Sequence, residues 1–169
     1  DGRKMLSTAL CTAAANGQEV AVRLLLDRGA DPNLAGSNGD TPLMAAAAKD
    51  SVPLLRMLIE AKAELNAVEP DAGFTALHGA CNQGNADCAE ALVRAGCDTS
   101  LRSKDGKTGQ DIAQMNGNTA VLERLGAHKK KADANRKRKE KRKRQKQRQL
   151  DPQVPIEPEP EPQSYARAA

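Results

Sequence analysis

Two histidines and four cysteines are the first side chains of this chain to consider for a zinc site or a catalytic nucleophile. No two cysteines have C-x-x-C spacing and the histidines are not paired, so the pattern argues against a zinc site. His78 lies near Cys81, but no serine–histidine–acid triad, phosphate-binding loop or suitably spaced pair of carboxylates accompanies it. His128 opens a basic run and is interpreted as a solvated side chain. The sequence therefore predicts no catalytic residue, no metal, no cofactor and no enzyme.

An internal repeat explains His78 and the cysteines better than a metal site or a catalytic site does. Threonines recur at intervals of 33, 34 and 33 residues, and an alanine follows each threonine by five positions. Around the second threonine, the run Gly39-Asp40-Thr41-Pro42 predicts a helix start, because threonine is a good N-cap and proline suits the first helical position. The recurring alanine predicts close contact between neighbouring helices. The threonines are Thr8, Thr41, Thr75 and Thr108, and the alanines are Ala13, Ala46, Ala80 and Ala113.

A second helix follows in each copy and ends in a turn. Its apolar residues recur at helical spacing, as in the run 54–59. Gly29 and Gly96 suit the left-handed conformation that ends many helices, and Lys62 stands at the corresponding place in the second copy. If Lys62 is left-handed, it costs about 1 kcal/mol relative to glycine.

The segments Thr41-Pro42-Leu43, Thr75-Ala76-Leu77-His78 and Leu24 to Asn33 resemble the ankyrin repeat. This resemblance implies an all-α fold, a solenoid of about four helix-turn-helix repeats with hairpin-like fingers and a concave binding face. It also implies that His78 forms a hydrogen bond between neighbouring fingers. The repeats would occupy residues 1–126, divided at about 5–33, 38–66, 72–100 and 105–126.

The cysteines fit this repeat as small buried side chains. Cys81, Cys88 and Cys97 stand where the other copies carry mostly small or apolar residues. Free cysteine in such places behaves as a small hydrophobe and favours a reducing compartment. With no run long enough to cross a membrane, we expect an intracellular protein of the cytoplasm, the nucleus or both.

The two ends of the repeat region differ. Residues 1–7 lack the glycine that stands two positions before each of the other threonines, and the standard apolar run Leu24-Leu25-Leu26 suggests that further repeats precede this sequence. Gln110 replaces a leucine in the last copy, whose second helix keeps only Val121, Leu122 and Leu125 as large apolar residues. We expect this copy to be a cap, with the solenoid ending near residue 126.

Beyond residue 126 the composition changes abruptly. Residues 127–149 contain 13 Lys or Arg against two acids, and they predict an exposed helix or a disordered segment. Residues 150–169 alternate proline with glutamate and predict a disordered tail. The basic segment is carried by Lys129, Lys130, Lys131, Arg136, Lys137, Arg138, Lys139, Lys141, Arg142, Lys143 and Arg144.

The resemblance also implies which side chains face a partner: those at the fingertips and at the ends of the first helices. Phe74, the one phenylalanine, occupies such a fingertip position. It either anchors a partner or folds back over the third loop, which is one residue longer, and the sequence favours neither. The predicted partner-binding residues are Ser37, Asn38, Asp40, Lys49, Asp71, Phe74, Asn82, Gln83, Lys104, Lys107, Met115 and Asn116.

Two functional classes follow. In the first, the chain is a non-catalytic scaffold that binds a protein partner through the concave face, while the basic segment binds a nuclear-import receptor, docks electrostatically or is only a solvated helix. In the alternative, the basic segment is the main binding element and holds nucleic acid or another acidic surface. No aromatic residues are interleaved with its charges, so such binding would be non-specific and directed mainly at phosphates.

Overall fold

The computed structural model describes residues 2–150, with side chains described for all of these except 3, 128–133, 135–136, 144 and 146–150. Within that range the chain forms eight helices and no strand, which confirms the predicted all-α repeat solenoid. The predicted disordered tail lies outside the described residues. The helices are α1 (Gly2–Ala15), α2 (Glu19–Asp27), α3 (Pro42–Ala48), α4 (Val52–Glu60), α5 (Ala76–Gln83), α6 (Ala86–Ala95), α7 (Gly109–Met115) and α8 (Thr119–Leu150).

Consecutive helices pair into four repeats, α1 with α2 through α7 with α8. The first helices of repeats 2, 3 and 4 begin as predicted: Thr41, Thr75 and Thr108 have extended backbone, and each hydroxyl accepts the backbone N–H three residues on. Each threonine therefore satisfies one of the free N–H groups at a helix start.

The first repeat departs from this pattern. Helix α1 is 14 residues long, twice the length of α3, and Thr8 lies inside it, where its hydroxyl donates to the Lys4 carbonyl. Ser7, just before Thr8, is a buried helical residue whose Oγ accepts the Asp31 N–H at 2.8 Å. Residues 2–7 have no glycine two positions before Thr8, and the helix runs through the residues where the other repeats form a finger.

The second helices end as the sequence predicts. Gly29 and Gly96 have positive φ, and Lys62 has a φ of 67°, so the left-handed conformation expected at Lys62 is confirmed. Asp50, which ends the first helix of repeat 2, is also left-handed at 56°.

The core lies between successive repeats. The four recurring alanines are buried, with at most 4% of their surface exposed, which matches the close helix contact that was predicted. Leucine and valine side chains fill the remaining space, and Cys81, Cys88 and Cys97 are buried among them. Burial raises the pKa of Cys81 and Cys88 to about 12, so these thiols stay protonated and serve as small apolar groups.

Asparagine side chains join each repeat to the one before it. The Asn85 amide donates to the Ala47 carbonyl at 2.7 Å, and the Asn118 amide donates to the Cys81 carbonyl at 2.8 Å. Both bonds satisfy carbonyls at the end of the preceding repeat's first helix. At the far end of the second helices, Asn33 and Asn66 accept backbone N–H groups from the following repeat.

The chain divides into two compact units, Asp1–Lys130 and Lys131–Ala169. The described part of the second unit is helical to Leu150, and its described lysine and arginine side chains are exposed. The boundaries predicted at residues 126 and 149 stay predictions. None of the helices between residues 2 and 150 has the length and apolarity needed to cross a bilayer.

Candidate partner-binding surface

Three fingers precede α3, α5 and α7, and each is closed by one backbone hydrogen bond. Finger 1 (residues 36–40) is closed by Gly36 N–H to Asp40 carbonyl, at 2.8 Å. Finger 2 (69–74) and finger 3 (103–107) are closed by the equivalent bonds between their first and last residues, each at 2.9 Å. These loops are the hairpin-like fingers expected from the sequence.

The fingers pack against one another. A Cβ atom added at Gly39 would lie 2.6 Å from the ring of Pro70, so finger 1 touches finger 2 closely enough to require glycine. Between fingers 2 and 3, the Lys104 N–H donates to the Ala72 carbonyl at 2.9 Å, and the Lys104 ammonium donates to the Pro70 carbonyl. The three loops therefore form a continuous row, and Lys104 helps to hold it together.

Glu69 organises the longer finger 2. It is only 8% exposed, and its carboxylate accepts the N–H groups of Asp71, Ala72 and Phe74 at 2.6, 2.6 and 3.2 Å. Desolvation acts to raise the pKa of Glu69, but the hydrogen bonds from the finger's backbone outweigh it and the pKa is lowered. The role of Glu69 does not follow from the repeat pattern. The available signal was a glutamate, followed by proline and aspartate, at the start of the one loop with an extra residue.

His78 links finger 3 to the start of α5. Its Nδ1 accepts the Thr75 N–H at 3.2 Å, so Nε2 carries the proton and donates to the Lys107 carbonyl at 3.1 Å. Burial lowers the pKa of His78, although its bonds to backbone carbonyls oppose this. The neutral ring is a structural bridge between fingers, as the resemblance implied.

Phe74 stacks on this histidine. The ring centroids are 5.6 Å apart with an interplanar angle of 17°, and the Phe74 side chain is partly buried. The ring thus packs on the fold and also keeps an exposed part. The buried part of the ring agrees with loop packing, and the exposed part is left for contact with a partner.

A groove of about 380 Å³ lies on the finger side of the first helices. It brings together four predicted partner-binding residues: Asn38, Asp40, Lys49 and Gln83. Its other lining residues, which the sequence analysis did not select, are Cys11, Ala15, Ala45 and Ala48. Three of these are alanines, which leave room for an incoming side chain. Burial raises the pKa of Cys11, whose Sγ donates to the Leu34 carbonyl at 3.1 Å, so this thiol is not activated.

The other predicted residues lie outside this groove. Asn116 donates to the Asn82 side-chain oxygen at 2.9 Å, so these two amides form a polar pair across repeats 3 and 4. Met115 is 64% exposed beside them in the chain. Ser37 and Asp71 are exposed on the fingers, and the Lys107 side chain is partly buried.

A larger groove, of about 600 Å³, lies between the second helices α4 and α6 and contains none of the predicted residues. Its charges are largely paired with one another. Arg94 pairs with Glu90 at 2.6 Å, and Arg124 pairs with Asp87 at 3.0 Å as well as with Glu90. The Arg124 pairs join repeats 3 and 4, and the Arg94–Glu90 pair lies within α6, so these charges have a structural explanation.

In the basic segment, the side chains of Lys137, Arg138, Lys139, Lys141, Arg142 and Lys143 are exposed, whereas those of Lys129, Lys130, Lys131, Arg136 and Arg144 lie outside the described ones. Among the described residues no group of three or more His, Cys, Asp or Glu side chains could hold a metal ion.

Comparison with known proteins agrees with the repeat architecture. Two family models match, one for ankyrin repeats in three copies over residues 2–69 and one for a single ankyrin repeat over residues 72–104. Cyclin-dependent kinase 4 inhibitor B of Mus musculus is 32% identical over 118 residues, which cover 70% of this chain and 90% of that protein. Ankyrin repeat and SAM domain-containing protein 6 of Rattus norvegicus is 37% identical over 83 residues, 49% of this chain but only 9% of that protein. The chain belongs to the ankyrin-repeat family.

Proposed function

We propose that this chain is a non-catalytic scaffold that binds a protein partner on the finger side of repeats 2 to 4. Ankyrin repeats generally mediate protein–protein interactions. The observation that carries the proposal is the groove that gathers Asn38, Asp40, Lys49 and Gln83 between the fingers and the ends of the first helices.

The rigidity of the fingers supports this proposal. Glu69, His78 and Lys104 each tie a finger to its own repeat or to its neighbour through hydrogen bonds. A surface that is ordered before binding loses little conformational entropy when a partner docks, so more of the contact energy appears as affinity. The exposed part of Phe74 and the exposed Met115 supply apolar area, while Asn82 and Asn116 supply hydrogen-bonding groups.

The basic segment has a separate role in this proposal. Its clusters 129–131 and 136–144 suit a nuclear-import receptor, which would place the protein in the nucleus as well as the cytoplasm. The exposed row from Lys137 to Lys143 also suits the alternative, in which the segment binds the phosphates of nucleic acid or another acidic surface.

Affinity capture with the full chain tests the proposal. One variant replaces Lys49, Gln83 and Met115 with alanine, a second replaces the basic residues of 129–144, and a control replaces Arg23 and Arg56 on the second helices. We expect the first variant to lose protein partners that the control retains. Loss of all partners in the second variant alone would instead make the basic segment the main binding element.

Localisation tests the import role separately. The chain with alanine at the basic positions of 129–131 and 136–144 should stay in the cytoplasm, while the Lys49, Gln83 and Met115 variant should distribute as the unaltered protein does. An unchanged distribution of the basic variant would exclude the import role.

A further inference from the structure

The groove contains a carboxylate that the fold leaves without a cation. Asp40 Oδ2 accepts one hydrogen bond, from the Asn38 amide at 2.6 Å. Among the described side chains, none of the salt bridges within 4.0 Å involves Asp40. Lys49 lines the same groove but does not pair with Asp40. One oxygen of the Asp40 carboxylate therefore remains open to a ligand.

The surroundings of Asp40 disfavour its charge. Burial raises the pKa of Asp40, and repulsion from Glu69 raises it further. Glu69 is a poorer acceptor for a cation, because backbone N–H groups of finger 2 bond to both of its oxygens and the residue is buried. An incoming cation would offset both effects by stabilising the charged form of Asp40.

We propose that the Asp40 end of the groove receives an arginine side chain of the bound protein. This inference rests on the proposed function and specifies the partner's chemistry. Two side-chain acceptors belong to this end of the groove, the open Asp40 oxygen and the Asn38 Oδ1, which accepts the Asp40 N–H at 3.3 Å. A guanidinium presents parallel N–H groups that suit such a pair of acceptors better than the single ammonium of lysine.

The rest of the groove suits the remainder of an arginine residue. Ala15, Ala45 and Ala48 offer small apolar side chains, against which the three methylenes of the arginine stem can pack. The Lys49 ammonium and the Gln83 amide are available to the backbone carbonyls of the partner segment that carries the arginine. The groove thus matches an arginine within an extended peptide.

The test uses the full chain and two blocked peptides, acetyl-Gly-Ala-Arg-Ala-Gly-amide and the same peptide with citrulline. Citrulline keeps the shape of arginine but has no charge. Carbon-detected NMR follows the side-chain carboxyl signals during titration. We expect the arginine peptide to shift the Asp40 signal, to lower the Asp40 pKa and to bind about ten-fold more tightly than the citrulline peptide.

Two matched variants complete the design. Asp40→Asn should abolish the preference for arginine, whereas Asp27→Asn, which removes an exposed carboxylate at the end of α2, should preserve it. Equal response to both peptides, an absent response, or a preference that survives in folded Asp40→Asn would overturn the inference. The Lys49, Gln83 and Met115 variant used for affinity capture leaves Asp40 intact. If that variant loses its protein partners while the peptide titration shows no preference for arginine, this inference is refuted but the proposed function is not.

Discussion

Replacing Lys62 with glycine should make the protein more stable, although it removes a whole side chain. Lys62 has a φ of 67°, where an L-residue carries about 1–2 kcal/mol of strain that glycine does not. Glycine also gives the unfolded chain more conformational freedom, which costs about 0.4–1 kcal/mol. The difference predicts a gain of up to about 1.6 kcal/mol in the free energy of unfolding, with a midpoint of roughly 0.8 kcal/mol.

Lys62 makes its hydrogen bonds to Ile59 and Asn33 through its backbone, so replacing the side chain does not remove them. Its N–H donates to the Ile59 carbonyl at 3.0 Å and its carbonyl accepts from Asn33 at 3.4 Å, and both groups remain in glycine. Its side chain is exposed. The left-handed Asp50 is a less suitable site, because its carboxylate interacts with the Cys88 thiol and helps to raise the pKa of that thiol.

Urea unfolding followed by circular dichroism measures the effect, with an increased midpoint and an unchanged slope as the expected result. Lys49→Gly is the matched control, since Lys49 ends α3 with a φ of −86°. That control should be destabilised, because glycine loses more conformational entropy on folding and Lys49 has no left-handed strain to release. A Lys62→Gly protein as destabilised as Lys49→Gly would refute the strain argument.

Three further changes test the joints between repeats. Asn118→Ala should cost about 1–3 kcal/mol by leaving carbonyls of α5 unpaired, while Asn16→Ala, which loses a bond within its own repeat, should cost less in the same urea assay. Ala80→Leu should cost about 1–3 kcal/mol by overpacking, whereas exposed Ala48→Leu should leave the thermal melt nearly unchanged. The pKa of His78 is lowered in the folded protein, so the contribution of His78 to stability is complete above about pH 6.5 and is lost as the pH falls below that value. His78→Gln should therefore reduce the change in urea midpoint between about pH 7.5 and about pH 5.5.

The sequence predicts the fold of this chain well because the determinants are local. Thr41, Thr75 and Thr108 cap helices through bonds that reach only three residues along the chain, and the left-handed state of Lys62 follows from its place after a helix. Thr8 is the exception. It has the same spacing, yet nothing in residues 2–7 ends the helix before it. The spacing marks a helical segment, whereas the residues on either side decide where the helix begins.

The binding surface is harder to predict because its properties arise between repeats. Asp40 and Lys49 could be selected by position, but the groove they share also needs Cys11 and Ala15 from the preceding repeat and Gln83 from the following one. The uncompensated charge of Asp40 depends on Glu69, 29 positions away, and on the backbone of finger 2, which occupies the Glu69 carboxylate. A substitution in finger 2 should therefore alter binding at finger 1 without touching the ligand. Glu69→Gln would remove the repulsion, lower the Asp40 pKa and weaken the preference for arginine over citrulline, and the same NMR titration would measure each of these changes.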